Sequence, residues 1–386
     1  MAANFGVNVT ISAEAARPIK VESLTPIGIA GYGAGLEKGL HFFVNVSTAL
    51  AELEKKSVKG SIMSAIKGSI MSAIKGIDDQ AVETPIILSV FEKDSDGVDP
   101  DTTLTNAITA IEEFKNAKAV FGYRPNILVC PEFSGEEAIK AQLETTATKL
   151  KATAIVDLKT KDVAGAITAM SAFGTKRVIT TFPNVKVYSK EANDYVYEGQ
   201  SARIAGMIAA TDGAWEYGFA DSYSNRVMMG IVGTEIPIDF ELGEGACAAD
   251  MLRSAHISTI INHEGYRTWG GETSDQDTIW QDLARVRVFD RISEACQKGV
   301  LFAIDKRADQ LYHAKRSVDE LLRSFVGSRV LLGYEISWSP MNTLANITAG
   351  KFYLDVRMQN TPIVKQLTLD FIYVDSYGEV LMEKIK

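Results

Sequence analysis

Hydrophobic and polar residues alternate at both ends of the chain. Near the N-terminus the apolar positions are spaced by two over residues 5–11. Near the C-terminus the same spacing occurs over residues 352–358 and again over residues 367–373. A period of two places every second side chain on one face of an extended strand. The pattern therefore predicts strand-forming arms at both ends of the chain.

Between these arms, apolar runs typical of strands alternate with segments that have the spacing of an amphipathic helix. The strands are predicted at residues 85–91, 126–130, 153–156 and 177–181. Helices are predicted at residues 102–114, 162–173 and 201–210. Two more helices are predicted to start after Ser134 and Ser317, because each of these serines is followed three residues later by a Glu, as in a capping box. Such alternation indicates a mixed sheet with flanking helices.

Residues 59–75 contain a tandem repeat of eight residues. The octapeptide Lys-Gly-Ser-Ile-Met-Ser-Ala-Ile starts at Lys59 and again at Lys67. Isoleucines four residues apart favour one amphipathic helix, while the glycines of the repeat weaken it. A solenoid needs at least three stacked units of about 20 residues or more. We interpret the repeat as a local duplication and not as a functional motif.

Composition and charge argue against several classes of protein. The chain has 386 residues, and 40 basic against 49 acidic residues give a formal net charge of −9. Binding along nucleic acid or an anionic membrane needs clustered Lys and Arg, so we expect neither partner. No apolar run approaches the roughly 20 residues that span a bilayer, and we see no secretory signal. Three widely spaced cysteines, Cys130, Cys247 and Cys296, fit a reducing compartment.

The motifs that carry catalysis or cofactor binding are missing or incomplete. The glycine cluster at residues 31–35 lacks the spacing of a phosphate loop, so we interpret it as a turn. The acidic loop at residues 94–101 has Thr105 where an EF-hand needs Glu. The histidines lack zinc-site spacing, and the GxSxG motif of hydrolases does not occur. We predict no catalytic, cofactor-binding or metal-binding residues and expect that the chain is not an enzyme.

Several short motifs follow one another in a recognisable order over nearly the whole chain. They are Ala15-Ala16-Arg17-Pro18-Ile19, Thr25-Pro26-Ile27-Gly28, Arg124-Pro125-Asn126-Ile127-Leu128, Phe182-Pro183-Asn184-Val185, Ser201-Ala202-Arg203-Ile204-Ala205-Gly206, Thr211-Asp212, Ser224-Asn225, Thr259-Ile260-Ile261-Asn262, Gly265-Tyr266-Arg267-Thr268-Trp269-Gly270 and Arg285-Val286-Arg287. In this order the chain resembles the contractile tail sheath proteins of bacteriophages and contractile bacteriocins. Two features depart from that pattern. The repeat is not part of it, and the family has two consecutive arginines where this chain has Arg285-Val286-Arg287, so the contacts of the second arginine stay open.

The resemblance implies a mechanical protein without enzymatic activity or cofactor. Family members stack as rings around an inner tail tube, and a baseplate trigger lets the sheath shorten and drive the tube through a bacterial envelope. The implied partners are further copies of the chain in a helical polymer, the tail tube protein, and the baseplate and tail terminator proteins. Neither nucleic acid nor membrane insertion of the sheath is implied. The implied location is the tail of a phage or phage-like particle, assembled in the cytoplasm of a bacterial host.

The resemblance also implies that both arms add strands to the sheets of neighbouring subunits. Period-two strands at the two ends suit this linkage, because main-chain hydrogen bonds form the joint and alternate side chains fix its register. The predicted linking residues are the apolar positions of the arms, Val7, Val9, Ile11, Leu367, Leu369 and Phe371. The alternative is that each arm pairs within its own subunit.

The predicted fold class is α/β and α+β, divided into four parts. Residues 1–20 form the N-terminal linking arm, 21–84 an outer subdomain, 85–254 an outer α/β subdomain with a mixed sheet, and 255–386 an inner α+β sheath domain with the C-terminal arm. The competing function is an α/β enzyme or small-molecule-binding protein that uses the crevice at the carboxyl ends of the central strands. Within the sheath class, the sequence leaves phage, bacteriocin and other contractile injection systems open.

Overall fold

The computed structural model describes residues 19, 21, 24–33, 35–59, 68–94, 100–190, 193–243, 247–375 and 377–385. Its strands are β1 (Ile27–Gly31), β2 (Gly39–Phe43), β3 (Ile86–Val90), β4 (Ile127–Val129), β5 (Thr153–Asp157), β6 (Val178–Thr181), β7 (Val185–Ser189), β8 (Asp194–Glu198), β9 (Gly233–Thr234), β10 (Ile257–Asn262), β11 (Tyr266–Trp269), β12 (Leu331–Trp338) and β13 (Leu354–Asn360). Its α-helices are α1 (Val46–Lys59), α2 (Ser69–Asp78), α3 (Pro100–Glu113), α4 (Ala117–Phe121), α5 (Glu137–Leu150), α6 (Val163–Met170), α7 (Ser201–Gly213), α8 (Ala248–Ser254), α9 (Leu283–Val300), α10 (Gln310–Gly327), α11 (Leu344–Thr348) and α12 (Gly378–Ile385).

An eight-stranded mixed sheet forms the largest layer of the structure. Its strand order is β11-β10-β6-β5-β4-β1-β3-β2, with parallel pairing inside and antiparallel pairing of β2 and β11 at the two edges. The inner strands β1, β3, β4, β5 and β6 bury every residue, as expected when helices cover both faces. Helices α1, α2 and α7 pack on one face, and α3, α5, α6 and α8 on the other. The predicted mixed sheet with flanking helices is confirmed.

Two helix starts predicted from capping boxes are wrong. Helix α5 begins after Glu136, and the Ser134 hydroxyl instead lies 3.2 Å from a carboxylate oxygen of Asp157. Ser317 lies buried inside α10, which begins at Gln310. The capping pattern marks a helix start only where the preceding backbone leaves the helix, and at Ser317 the helical backbone continues through it.

The second copy of the octapeptide repeat forms the start of α2. Its side chains lie in the core between α7 and the sheet: Ile70, Met71, Ala73 and Ile74. Gly68, directly before α2, lies so close to Gly33 that a Cβ on Gly33 would come within 2.6 Å of the Gly68 Cα. The glycine cluster therefore packs as a turn against the start of a helix. Residues 60–67, most of the first copy, lie outside the described residues.

Strand pairing crosses both of the domain boundaries predicted at residues 84 and 254. Strand β1, from the range 21–84, lies between β3 and β4 of the range 85–254. Strand β10, from the C-terminal range, pairs with β6. The three ranges therefore share one sheet. Parallel strands that are neighbours in a sheet are often distant in sequence, so a change of pattern along the chain does not locate a boundary in space.

A smaller α+β layer packs beside the large sheet. Helices α9 and α10 and the antiparallel pair β12–β13 share its core. In α10 the apolar residues recur at intervals of three and four and form one buried face, which comprises Ala314, Val318, Leu321, Leu322 and Phe325. This layer contains the first of the two strand patterns near the C-terminus, residues 352–358, which forms β13 from Leu354 onward.

Candidate functional site

The β12–β13 pair presents unpaired strand edges. The two strands run antiparallel, with Tyr334 opposite Met358 and a bulge between Leu331 and Gly333. In the described part of the chain, neither strand pairs with a third. Each strand therefore offers a row of main-chain N–H and C=O groups to another extended segment. Tyr334, Ile336 and Met358 pack on the core of α9 and α10, so an added strand would extend a supported sheet.

The predicted C-terminal linking residues lie exposed in the segment that follows β13. Residues 361–375 form neither helix nor strand. Leu367, Leu369 and Phe371 are 76%, 67% and 89% exposed. The strand predicted over residues 367–373 is therefore not formed in the single described chain, because no strand edge supplies its hydrogen bonds there. A row of exposed apolar side chains of this size is typical of a surface that meets a partner.

The predicted N-terminal linking residues, Val7, Val9 and Ile11, lie outside the described residues. Ile19, the first described residue, packs on the core of the smaller layer. It lies against α9 so closely that a Cβ on Gly299 would come within 2.4 Å of its side chain. Ile19 thus meets the same layer that holds β12 and β13.

A buried ion cluster joins α9 to α7 and to the residues before β1. The Asp212 carboxylate has no exposed surface and accepts hydrogen bonds from both terminal nitrogens of Arg287, one of them at 2.5 Å. It also accepts from the Thr25 hydroxyl and lies 3.6 Å from Arg291. Arg291 in turn donates to the Leu24 carbonyl at 2.9 Å. Buried charges are tolerated when they are paired, so this cluster fixes the smaller layer to the sheet.

Two more ion pairs extend the contact along α9. Two guanidinium nitrogens of Arg177 donate hydrogen bonds to the Asp290 carboxylate. A guanidinium nitrogen of Arg124 lies 2.5 Å from a carboxylate oxygen of Glu294. Thr211-Asp212 and Arg285-Val286-Arg287 are both among the motifs that carry the family resemblance, but their sequences do not predict that they meet. The contact left open for the second arginine is therefore the one between Arg287 and Asp212. The sequence signal that could have indicated this buried contact is Asp212 itself, the lone carboxylate of α7, a helix that is otherwise mainly apolar.

Lys365 fixes the start of the C-terminal segment to the sheet. Its Nζ lies 3.0 Å from a carboxylate oxygen of Glu272, whose side chain is 7% exposed and also lies 3.4 Å from Arg253. Burial raises the pKa of Glu272, but Arg253 and then Lys365 outweigh it and hold the pKa below its usual range. The segment is therefore held on its own subunit two residues before the exposed Leu367.

Replacing Lys365 with Met is expected to lower the free energy of unfolding at pH 7 by about 1 kcal/mol, the size of a half-exposed, hydrogen-bonded ion pair. A carboxyl with a lowered folded pKa stabilises the fold above its unfolded pKa, and this contribution is lost as the pH falls through the folded pKa. The difference in the free energy of unfolding between the Lys365→Met variant and the parent should therefore become smaller in acid. Urea unfolding between pH 7 and about pH 3 measures it, and a gap that widens in acid would contradict the assignment.

The crevice at the carboxyl ends of the parallel strands is filled by the protein's own groups. Asp157 ends β5, and its carboxylate accepts hydrogen bonds from the backbone and hydroxyl of Ser201 at 2.9 and 2.5 Å and from Thr181 at 3.0 Å. A Cβ on Gly199 would come within 2.4 Å of the same carboxylate. At the end of β1, a Cβ on Gly31 would meet the side chains of Ser69 and Ile70, the first two residues of α2. These polar groups are used in packing, which leaves the competing ligand-binding function without support.

Other candidate chemistry is equally limited. Within the described ranges, no group of three or more His, Cys, Asp or Glu is placed to hold a metal ion. Most of the acidic loop, residues 95–99, lies outside those ranges. Cys130 is buried, and burial raises the pKa of its thiol, which makes it a poor nucleophile. None of the helices described here is long and apolar enough to cross a membrane.

Comparison with known proteins decides the family. The chain is 31% identical over 288 residues to a prophage major tail sheath protein of Pseudomonas aeruginosa (strain UCBPP-PA14), a match that covers 73% of this chain and 72% of that protein. The chain belongs to the tail sheath protein family. It is also 22% identical over 350 residues to the tail sheath protein of Escherichia phage P2, which covers 86% of this sheath protein and 84% of the relative. No family model matches the chain.

Solved structures show the same sheath fold. The helical sheath of the anti-feeding prophage in its contracted state is 18% identical, with a TM-score of 0.68 over 96% of this sheath protein and 99% of that chain. The contracted sheath complex of PVC, an extracellular contractile injection system, is 14% identical, with a TM-score of 0.70 over 97% of this chain and 99% of that one. The predicted tail sheath family, the fold class and the role as a sheath subunit are confirmed.

Proposed function

We propose that this sheath protein polymerises as stacked rings around an inner tail tube, and that contraction of the polymer drives the tube through a bacterial envelope. One observation carries the proposal. The β12–β13 pair has open edges, and the same chain exposes the apolar residues Leu367, Leu369 and Phe371 in a segment that lacks a pairing strand. Strand addition between copies would supply the hydrogen bonds that each surface lacks.

The proposed working parts follow from this linkage. The smaller layer with the β12–β13 pair, from the range 255–386, forms the inner, polymer-forming region, the large sheet and its helices face outward, and residues 1–20 form the second arm. Linkage through flexible arms lets rigid subunits rotate against each other while the chain of contacts is kept. The buried cluster around Asp212 keeps the two layers of each subunit together during that movement.

The energy for contraction is stored during assembly, so the sheath needs neither a cofactor nor nucleotide hydrolysis. The proposed partners are the tail tube, the baseplate and the tail terminator, and assembly takes place in the cytoplasm of the bacterial host. The resulting particle is a phage or phage-like tail. The support is the sheath family together with the open strand edges.

Negative-stain electron microscopy of the purified protein, with and without the tail tube, tests the proposal. We expect striated hollow tubes or large rings, and a matching early peak in size-exclusion chromatography. A protein that stays monomeric when its tail tube is added would contradict it.

Deleting residues 1–16 is expected to leave a folded protein that no longer polymerises, because the arm acts on a neighbour and not on its own subunit. Circular dichroism measures the fold, and microscopy measures assembly. Val9→Asp should reproduce the loss, whereas the matched control Thr10→Asp, on the opposite face of the predicted strand, should assemble. A truncated protein that aggregates or loses its circular dichroism would show that the arm belongs to its own fold.

A further inference from the structure

The smaller layer carries an apolar groove next to the β12–β13 pair. Its cavity has a volume of about 680 Å³ and lies between α10, α11 and the end of β12. The lining is mainly apolar and includes Leu311, Tyr312, Trp338, Ile347 and Phe352. Trp338 and Ile347 are 43% and 44% exposed, so the described chain leaves the groove open to solvent.

Helix α12, near the C-terminus, exposes an apolar face that suits such a groove. Leu381, Met382 and Ile385 follow Gly378 at intervals of three, four and seven residues, the spacing by which an amphipathic helix binds in a groove. These three side chains are 60%, 64% and 72% exposed, and α12 has no buried residue. The helix therefore lacks a core of its own in the described chain.

The groove and the helix carry opposite charges that can pair, beside others of like sign: Asp309 and Asp319 also line the groove, and α12 also carries Lys384. Lys315 and Arg316 line the groove. Glu379 and Glu383 lie one turn apart on α12, on one side of the helix, and both are exposed. A helix that places its apolar face in the groove has these carboxylates available to meet the cations of α10.

Two of the other charges that line the groove, Asp319 and Arg316, have partners within their own subunit. Asp319 accepts a hydrogen bond from the Tyr334 hydroxyl at 2.8 Å and pairs with Arg323 at 2.7 Å. Arg316 pairs with Glu320 on the same helix at 3.4 Å. Lys315 is therefore the cation on which a charge test of the groove is best made.

We propose that α12 of one subunit docks in the groove between α10 and α11 of a neighbouring copy, as a second joint beside strand exchange. The inference rests on the proposed polymerisation. Lys365 holds the segment on its own subunit, and the twelve residues 366–377 span up to about 40 Å when extended, which is enough to reach an adjacent subunit. Two tethered contacts on the same neighbour strengthen each other, since binding of the first raises the effective concentration of the second.

Cross-linking between two differently tagged chains tests the docking. One chain carries Ile347→Cys and the other Met382→Cys, both with Cys296→Ser, because Cys296 is the partly exposed native thiol while Cys130 and Cys247 are buried. The chains are mixed, assembled, checked by microscopy and treated with a flexible bismaleimide. We expect a product that joins the two tags in assembled tubes only.

The outcomes separate this inference from the proposed function. Tubes without the mixed product overturn the docking and leave polymerisation standing. A double variant, Ile347→Cys with Met382→Cys, that links only within one chain shows that α12 folds back on its own subunit and also overturns it. Failure of the parent chain to form tubes overturns both proposals.

A charge exchange tests the orientation of the helix. Lys315→Glu should lower the yield of the mixed product about two- to fivefold, the range for one exposed ion pair, and Glu383→Lys on the partner chain should restore it. The matched control Lys149→Glu reverses an exposed charge on α5, a helix that does not line the groove, and should leave the yield of the mixed product unchanged. A yield that does not respond to Lys315→Glu contradicts the proposed contact.

Discussion

Tube formation is expected to be lost when Leu367, Leu369 and Phe371 are all replaced by aspartate, while the subunit stays folded. In the proposed joint these side chains lie on the face of the added strand that a neighbour buries. Each substitution would place a carboxylate in that apolar contact without a partner, which costs several kcal/mol or forces the strand out. In the single chain the three positions are exposed, so the fold does not depend on them. Microscopy and sedimentation measure the loss of tubes, and thermal unfolding measures whether the subunit stays folded.

The matched control places the same three charges on the other face of the same segment. Gln366→Asp, Thr368→Asp and Ile372→Asp together add as much negative charge between β13 and α12. We expect this variant to form tubes, because its carboxylates face away from the buried side of the added strand. If both triple variants assemble, or both fail, the assignment of the linking face is wrong.

Replacing Asp212 with Ala is expected to lower the free energy of unfolding by about 3–5 kcal/mol, the usual cost of removing one partner of a buried ion pair. The variant leaves the guanidinium groups of Arg287 and Arg291, whose side chains are 9% and 6% exposed, without their shared carboxylate. Urea unfolding of the unassembled subunit measures the loss.

An exposed ion pair provides the comparison for that variant. Glu335→Ala removes the partner of Arg357 on the surface of the β12–β13 pair, where the two side chains are 63% and 75% exposed. Pairs of this kind contribute less than about 1 kcal/mol, so we expect little change. A loss at Asp212 no larger than the loss at Glu335 would mean that the cluster does not hold the two layers together.

Much of the large sheet was predictable because its signals are local. Strands such as β3 and β5 are short apolar runs, and helices such as α3 repeat their apolar residues at helical spacing. The two wrong helix starts came from a local signal that the tertiary packing overrides. Ser134 and Ser317 match a capping box in sequence, but the backbone around each follows the tertiary packing.

The ion cluster shows what local patterns do not contain. Asp212 and Arg287 are 75 positions apart, and each belongs to a motif that indicates the family only through its order along the chain. Which carboxylate meets which arginine depends on how α9 lies across the end of α7. The same is true of Lys365 and Glu272, whose pairing sets the point where the C-terminal segment leaves the subunit.

The family, the α/β character of the central region and the apolar alternation of both arms could be read from the sequence, because these are properties of order and period along the chain. The folded structure was needed to show that β1 and β10 join one sheet across the expected boundaries and that α9 is held by buried ion pairs. It was also needed to show that, among the described residues, the β12–β13 pair and the C-terminal segment have no further pairing strand. The physical reason is that strand neighbours, buried charges and open edges are relations between distant residues, and folding brings such residues together without leaving a periodic mark on either of them.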